Sequence, residues 1–239
     1  MDRNIVVAVE SRDEPTAGAQ RVDAPGAPRY RYFAVLVLTL AAVVFLIAAP
    51  TANWSRAVAL LIEGLALVVT VATSREREAV RRRRAAWLGL VMAVVVLLIA
   101  LGVVPRWLIA VVAVGVAAGV PIALIRGLLR LLRREGVTLQ SVAGSLAIYL
   151  SIGLVFAWVI AFVSQVAGTP YFAQQTSGTL GDKVYFSFTT LTTTGFGDFT
   201  PATPTGHAIA VIEMLTGQLY LVTVIGLLIG NFASRQRSQ

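Results

Sequence analysis

Apolar and polar residues fall along this chain in long alternating blocks. Six runs are apolar almost throughout: Tyr32–Ala49, Trp54–Val71, Ala86–Val104, Trp107–Ile125, Val142–Val166 and Ala208–Phe232. A helix rises about 1.5 Å per residue, so runs of this length each cross the roughly 30 Å of hydrocarbon in a bilayer. Pro50 ends the first run, and Pro105-Arg106 turns the third into the fourth. The first run starts too late and runs too long for a secretory signal, and is read as a retained span. Ahead of it, residues 1–28 carry Pro15, Gly18, Pro25, Gly26 and Pro28 without a lasting apolar period, the pattern of a disordered tail. The blocks predict an all-α polytopic membrane protein.

Composition agrees. Apolar residues make up 57% of the 239 and charged residues 13%, with a mean hydropathy of +0.78, which excludes an ordinary soluble domain. There is no cysteine to make a disulfide or a thiolate metal site, and His207 is the single histidine. No run gathers a cluster of carboxylates, so nothing here builds a catalytic centre, and no enzyme is expected.

The net charge of +8 changes the picture in one respect. The arginines adjoin apolar runs rather than interleaving with aromatics, which argues for orientation in a membrane and against nucleic acid. Arginines up to Arg31, Arg75–Arg84, Arg126–Arg134, Arg235 and Arg237 all fall on one side. They are 17 of the 20 basic residues, leaving Arg56, Arg106 and Lys183 opposite. The positive-inside rule then places both termini in the cytoplasm, as in a multi-pass protein of the plasma (inner) membrane. The basic loop Ser74–Arg84 is positioned to touch anionic lipid headgroups. Within residues 126–141, Arg126, Arg130, Arg133 and Arg134 share one helical face and Leu128, Leu129 and Leu132 the other, which predicts an interfacial linker helix.

Between the fifth and sixth runs the chain reads Thr190-Leu191-Thr192-Thr193-Thr194-Gly195-Phe196-Gly197-Asp198. A short helix over Gly181–Thr192, with Asp182 as its N-cap, should lead into it. Gly195 and Gly197 hold backbone angles closed to other residues, so successive carbonyls can turn to one side. The stretch resembles the potassium-channel selectivity filter, with Thr194 at the usually aliphatic position and Phe196 at the usual tyrosine. The resemblance covers roughly Val142 to Asn231. It implies a homotetramer in which each chain supplies one strand, K⁺ held by the carbonyls of Thr193, Thr194, Gly195, Phe196 and Gly197 and by the Thr193 hydroxyl, and no cofactor beyond permeant K⁺.

The resemblance also assigns supporting roles. Tyr185 and Phe186 would brace the filter from behind, replacing the usual tryptophans, with the Tyr185 hydroxyl as a hydrogen-bond partner. Asp198 would stand at the outer mouth. Thr189 occupies the position where similar channels sometimes carry a glutamate that pairs with this aspartate, so that pairing is lost. Glu213, a carboxylate inside an apolar run, is expected to sit buried behind the filter and bond hydroxyls such as those of Thr189 or Thr190. Gly217, 20 residues after Gly197, is either a gating hinge or a small residue for close packing. Leu221, Ile225 and Ile229 follow at helical spacing to line an inner vestibule, with Gln218 as a candidate cavity residue.

A voltage sensor needs regularly spaced arginines inside the fourth run, and Trp107–Ile125 contains none. Glu63 interrupts the second run and is protonated, paired with Arg56 or Arg106, or hydrogen-bonded to another span. Gly115 and Gly119 are read as packing residues. The expected organisation is a tail (1–28), a four-helix peripheral bundle without gating arginines (29–125), the interfacial linker (126–141), a two-helix pore module with a re-entrant pore helix and filter (142–232) and a short cytoplasmic tail (233–239). The expected function is voltage-independent K⁺ conduction. The alternatives are a weakly selective cation channel and a K⁺ transporter subunit, which usually carries four pore loops where this chain has one.

Overall fold

A computed structural model describes residues 31–49, 53–72, 83, 86–87, 89–90, 93–94, 97, 105–135, 137–226 and 228. The expectations for both tails, for most of the third run and its preceding arginines, and for Ile229 lie outside these residues. Among the described residues the regular structure is entirely helical. Three helices are long and apolar enough to cross a membrane, over Trp107–Arg133, Leu139–Val166 and Pro204–Val224, and two shorter apolar stretches accompany them, Tyr32–Ala48 and Leu60–Thr70.

Helices α1 (Arg31–Ala48), α2 (Asn53–Ala72) and α3 (Arg106–Glu135) form one side of the molecule. Each buries a stripe at helical spacing: Val35, Thr39, Ala42 and Leu46 on α1, Leu60, Ala66 and Leu67 on α2, and Ala113, Ala117, Val120 and Leu124 on α3. Phe33, Val37, Leu40 and Val44 lie exposed on the outer face of α1, as an apolar lipid-facing surface requires. The hydroxyls of Thr39 and Thr70 donate back to the carbonyls of Val35 and Ala66, 2.9 and 2.7 Å away, so neither buried polar group is left without a partner. Gly119 packs on Leu67, while Gly115 meets no side chain among the described residues.

One boundary differs from expectation. The segment beginning at Arg126 is not a separate helix: α3 runs unbroken for 30 residues to Glu135, through Pro121. At about 45 Å it is longer than the hydrocarbon layer is thick. Leu128 is buried, whereas Arg126, Arg130 and Arg133 are exposed.

Helix α4 (Leu139–Val166) begins with a capping box in which Thr138 and Ser141 exchange side-chain and backbone bonds. It lies between α1 and α3 on one side and the short helix α5 (Leu180–Leu191) on the other, and is buried along much of its length. Small residues permit this. Gly144 faces Tyr32, and a Cβ at Gly153 would stand 2.8 Å from the Phe188 ring of α5. Helix α6 (Pro204–Tyr220) buries Gly206, Ala210, Glu213 and Gly217 and leaves Val211, Ile212, Leu215 and Leu219 exposed, as is Val222 just beyond it. A single π-helical turn, Leu221–Ile225, follows it.

Candidate functional site

Helix α5 has 12 residues and spans about 18 Å, too short to cross a bilayer. Its N-cap is Thr179 rather than Asp182. Asp182 is the N3 partner of a capping box, accepting from the Thr179 amide at 2.7 Å while its own amide donates to the Thr179 hydroxyl at 3.0 Å. Lys183 is buried, its ammonium donating to the carbonyls of Ser177 and Gly178.

The loops on either side of α5 are pinned together. Phe172 is fully buried and forms bridges with Thr176 and with Pro201. The Ala173 amide donates to Thr200 and the Ala202 amide to Tyr171, both at 2.8 Å. Phe186 points into this cluster, 5.3 Å from the Phe172 ring and 6.4 Å from that of Tyr171. It therefore anchors the loops on either side of α5. Burial pushes the Tyr171 phenol above its ordinary range.

After Thr192 the backbone changes character. Residues 193, 195 and 197 have φ of +57°, +50° and +80°. Every second residue is thus left-handed, and Thr193 holds this geometry without being glycine. The amides of this turn fold back on the end of α5: Thr193 donates to Thr190 at 2.9 Å, and Thr194 and Gly195 to Thr189 at 2.8 and 3.1 Å. Thr189 acts here through its carbonyl, while its hydroxyl donates to Phe186. Among the described residues, no carbonyl of residues 193–197 accepts a hydrogen bond from the chain. The amides of Thr193, Thr194 and Gly195 are thus tied to α5, while the carbonyls of an exposed segment have no partner among the described residues. The segment offers a row of backbone oxygens next to the negative end of a helix dipole, which favours a cation.

Side chains fix the row at both ends. Gln218 on α6 donates through Nε2 to the Thr193 hydroxyl at 3.1 Å, and the hydroxyls of Thr192 and Thr194 bond each other at 2.9 Å. The Phe196 ring is 69% exposed and stacks on Tyr185, with centroids 6.2 Å apart and planes 7° from parallel. Hydrogen bonding to the Asp198 carboxylate raises the Tyr185 phenol above its usual value. Asp198 also accepts from the Phe199 amide at 3.1 Å.

Behind the row, α6 approaches α5 very closely. A Cβ on Gly217 would lie 2.2 Å from the Leu191 carbonyl oxygen, so close packing requires glycine here. The same oxygen accepts from the Tyr149 hydroxyl of α4 at 3.3 Å. Glu213 is fully buried, and its Oε1 meets the Ser187 hydroxyl rather than Thr189 or Thr190. Ser187 also reaches the Gly153 carbonyl of α4 at 2.7 Å. Of the inner positions, Leu221 is half-buried and begins the π turn that contains Ile225.

Ser187, Phe172 and the Tyr149 contact were missed by sequence reasoning. The one signal for Ser187 was that a carboxylate placed at Glu213 needs a polar partner on the adjacent helix. Glu63 has a partner 95 residues away. The Trp158 indole of α4 donates to both its oxygens, at 3.0 and 3.2 Å, so the hydrogen bond to another span read from sequence is present.

Residues 147–234 match the family model described as "Ion channel". The matched stretch takes in most of α4, all of α5, residues 193–198 and α6, and covers less than half of the chain. No curated protein and no solved structure matches the chain. The family match and the long apolar helices support an integral membrane ion channel.

Proposed function

We propose that this protein is a K⁺-selective channel, a homotetramer in which residues 193–198 of four copies surround one axis. The observation that carries the reading is the backbone of that segment: left-handed φ at every second residue, the amides of Thr193, Thr194 and Gly195 bonded to the end of α5, and carbonyls without partners among the described residues. Four such rows form stacked oxygen cages that replace the hydration shell of a K⁺-sized ion, with the carbonyls of Thr193, Thr194, Gly195, Phe196 and Gly197 as ligands and the Thr193 hydroxyl at the inner end. One row by itself coordinates nothing, so the tetramer follows from the chemistry. The exposed apolar stripe of α6, Val211, Leu215, Leu219 and Val222, is available to neighbouring copies and to the inner cavity.

Asp198 draws cations to the outer mouth, and Tyr185 steadies it there. Thr189, Glu213 and Gly217 hold the segment from behind. Leu221, Ile225 and Ile229 line the inner vestibule, and bending near Gly217, just ahead of the π turn, opens it. The run Trp107–Ile125 has no arginine to move in the field, so opening is not steeply voltage-dependent. Anionic headgroups meet the exposed arginines at the end of α3.

The test is the reversal potential of the purified protein in a bilayer with K⁺ on one side and Na⁺ on the other, in the natural chain and in Gly195→Ala. Current reversing near the K⁺ equilibrium potential and losing that preference in the variant supports the reading. Reversal near zero in the natural chain replaces it with the weakly selective cation channel.

A further inference from the structure

The contacts of Ser187 raise a question of protons. Its Oγ lies 2.7 Å from the Gly153 carbonyl and within hydrogen-bonding reach of Glu213 Oε1. A serine hydroxyl has one hydrogen and two lone pairs, and a peptide carbonyl only accepts. The contact with Gly153 can therefore be served only by the proton of Ser187. That leaves Ser187 an acceptor toward Glu213, and the proton of that second bond must come from the glutamate. The reverse assignment leaves two bare oxygens facing each other at 2.7 Å. It also leaves an ionised carboxylate fully buried with a single hydrogen bond, the arrangement burial penalises most.

We infer that Glu213 is a neutral acid whose proton runs a one-way hydrogen-bond relay, from Glu213 on α6 to Ser187 on α5 to the Gly153 carbonyl on α4. The relay joins the three helices around residues 193–198 at one buried point. It also keeps negative charge out of the space behind the exposed carbonyls. Oε2 is then the carbonyl oxygen of the acid. It is buried without a partner among the described residues, and so is the Tyr171 hydroxyl. Tyr149 of α4 and Tyr171 of the outer loop are the titratable groups within electrostatic reach of the acid. Lys183, one turn before Ser187, directs its ammonium to Ser177 and Gly178. Glu213 is a positioning residue. The channel reading is needed only for the consequence of this relay to conduction, not for the protonation itself.

The experiment is infrared spectroscopy of the full chain, labelled with ¹³C at glutamate carboxyls, in lipid at neutral pH. The natural chain should show the carbonyl stretch of a protonated carboxylic acid. Read in the Glu63→Gln background, which removes the other buried glutamate, that band should persist, disappear on adding Glu213→Gln, and move to higher frequency on adding Ser187→Ala, where the acid loses its acceptor. A spectrum with no protonated-acid band, or a band unchanged by Glu213→Gln, overturns the relay. If Glu213→Gln does not fold, the Ser187→Ala shift, read in the Glu63→Gln background, decides: an unmoved or absent band overturns the inference. Glu213→Gln should also retain tetramer and selectivity, because its amide donates to Ser187 as the acid does, whereas Glu213→Ala should lose them. Because the band is read without current, loss of K⁺ selectivity and loss of the relay are separate results.

Discussion

In α1–α3 the buried positions are mostly Val, Ala and Leu, and helix meets helix through side chains: Leu67 against Gly119, Leu60 beside Ala113 and Ala117. Between α5 and α6 the buried positions include Ser187, Thr190, Glu213 and Gly217 beside the apolar Phe186, Leu191 and Ala210, and at Gly217 helix meets helix through backbone. The first kind of packing depends on volume and tolerates exchange among apolar residues of similar size. The second depends on particular oxygens in particular places. The difference locates function: the region that specifies backbone geometry is the one whose carbonyls are left free, and the peripheral helices hold it in place. Among the described residues the bundle reaches into α4 through two polar contacts, Tyr32 with Gln140 near the start of α4 and the buried pair Glu63 with Trp158, and these are where the two kinds meet.

The most severe way to break the backbone packing is Gly217→Ala. Its new methyl must displace the Leu191 carbonyl, and we expect a loss of about 3 kcal/mol or failure to assemble, by thermal unfolding in detergent. Gly115→Ala in the bundle, where no side chain among the described residues is close, should stay within about 0.5 kcal/mol. Equal effects at the two glycines would contradict the contrast.

Trp158→Phe comes next. It leaves the buried Glu63 carboxyl without its donor and should cost about 2 kcal/mol of stability. Combining it with Glu63→Leu should recover most of that loss, since removing both partners removes the unsatisfied group. Selectivity should be unchanged in both, and a shift in reversal potential would show that the bundle tunes the pore directly.

Gly197→Ala should cost only about 1–2 kcal/mol, through its left-handed φ of +80°, since nothing lies within 4 Å of the added methyl. Its effect on K⁺ over Na⁺ should nevertheless be large, the inverse of the Trp158 result. The smallest change is Tyr185→Phe. It keeps the stack on Phe196 and removes the hydroxyl beside Asp198, and should leave stability nearly unchanged and chiefly shorten open times in single-channel records.

Much of this was legible in the chain because lipid imposes a simple code. Runs of apolar residues correspond to α1, α2, α3, α4 and α6, and the glycine pair at 195 and 197 marked the special backbone before any geometry was known. What hydropathy does not read is where a helix ends, only where lipid does. That is why α3 continues through Arg126 to Glu135 where a break was expected. The Thr179-x-x-Asp182 box is legible as a cap, with Thr179 at the N-cap and Asp182 at N3, where the acidic residue alone points to the wrong position. The pairs Glu63–Trp158 and Glu213–Ser187 depend on which faces of distant segments meet, and spacing along one helix carries no such information. The positive φ at Thr193 belongs to the same class, because a threonine gives no sign of it.

The central claim is that the carbonyls of residues 193–197 from four copies hold a dehydrated cation. The direct measurement is anomalous scattering from crystals of the assembled protein grown with Rb⁺ or Tl⁺ as K⁺ substitutes, against matched crystals in Na⁺. The account predicts a column of anomalous peaks on the four-fold axis at the level of Thr193 to Gly197, and a collapsed or empty column in Na⁺. Peaks elsewhere, or an assembly in which these carbonyls do not face a common axis, would contradict it.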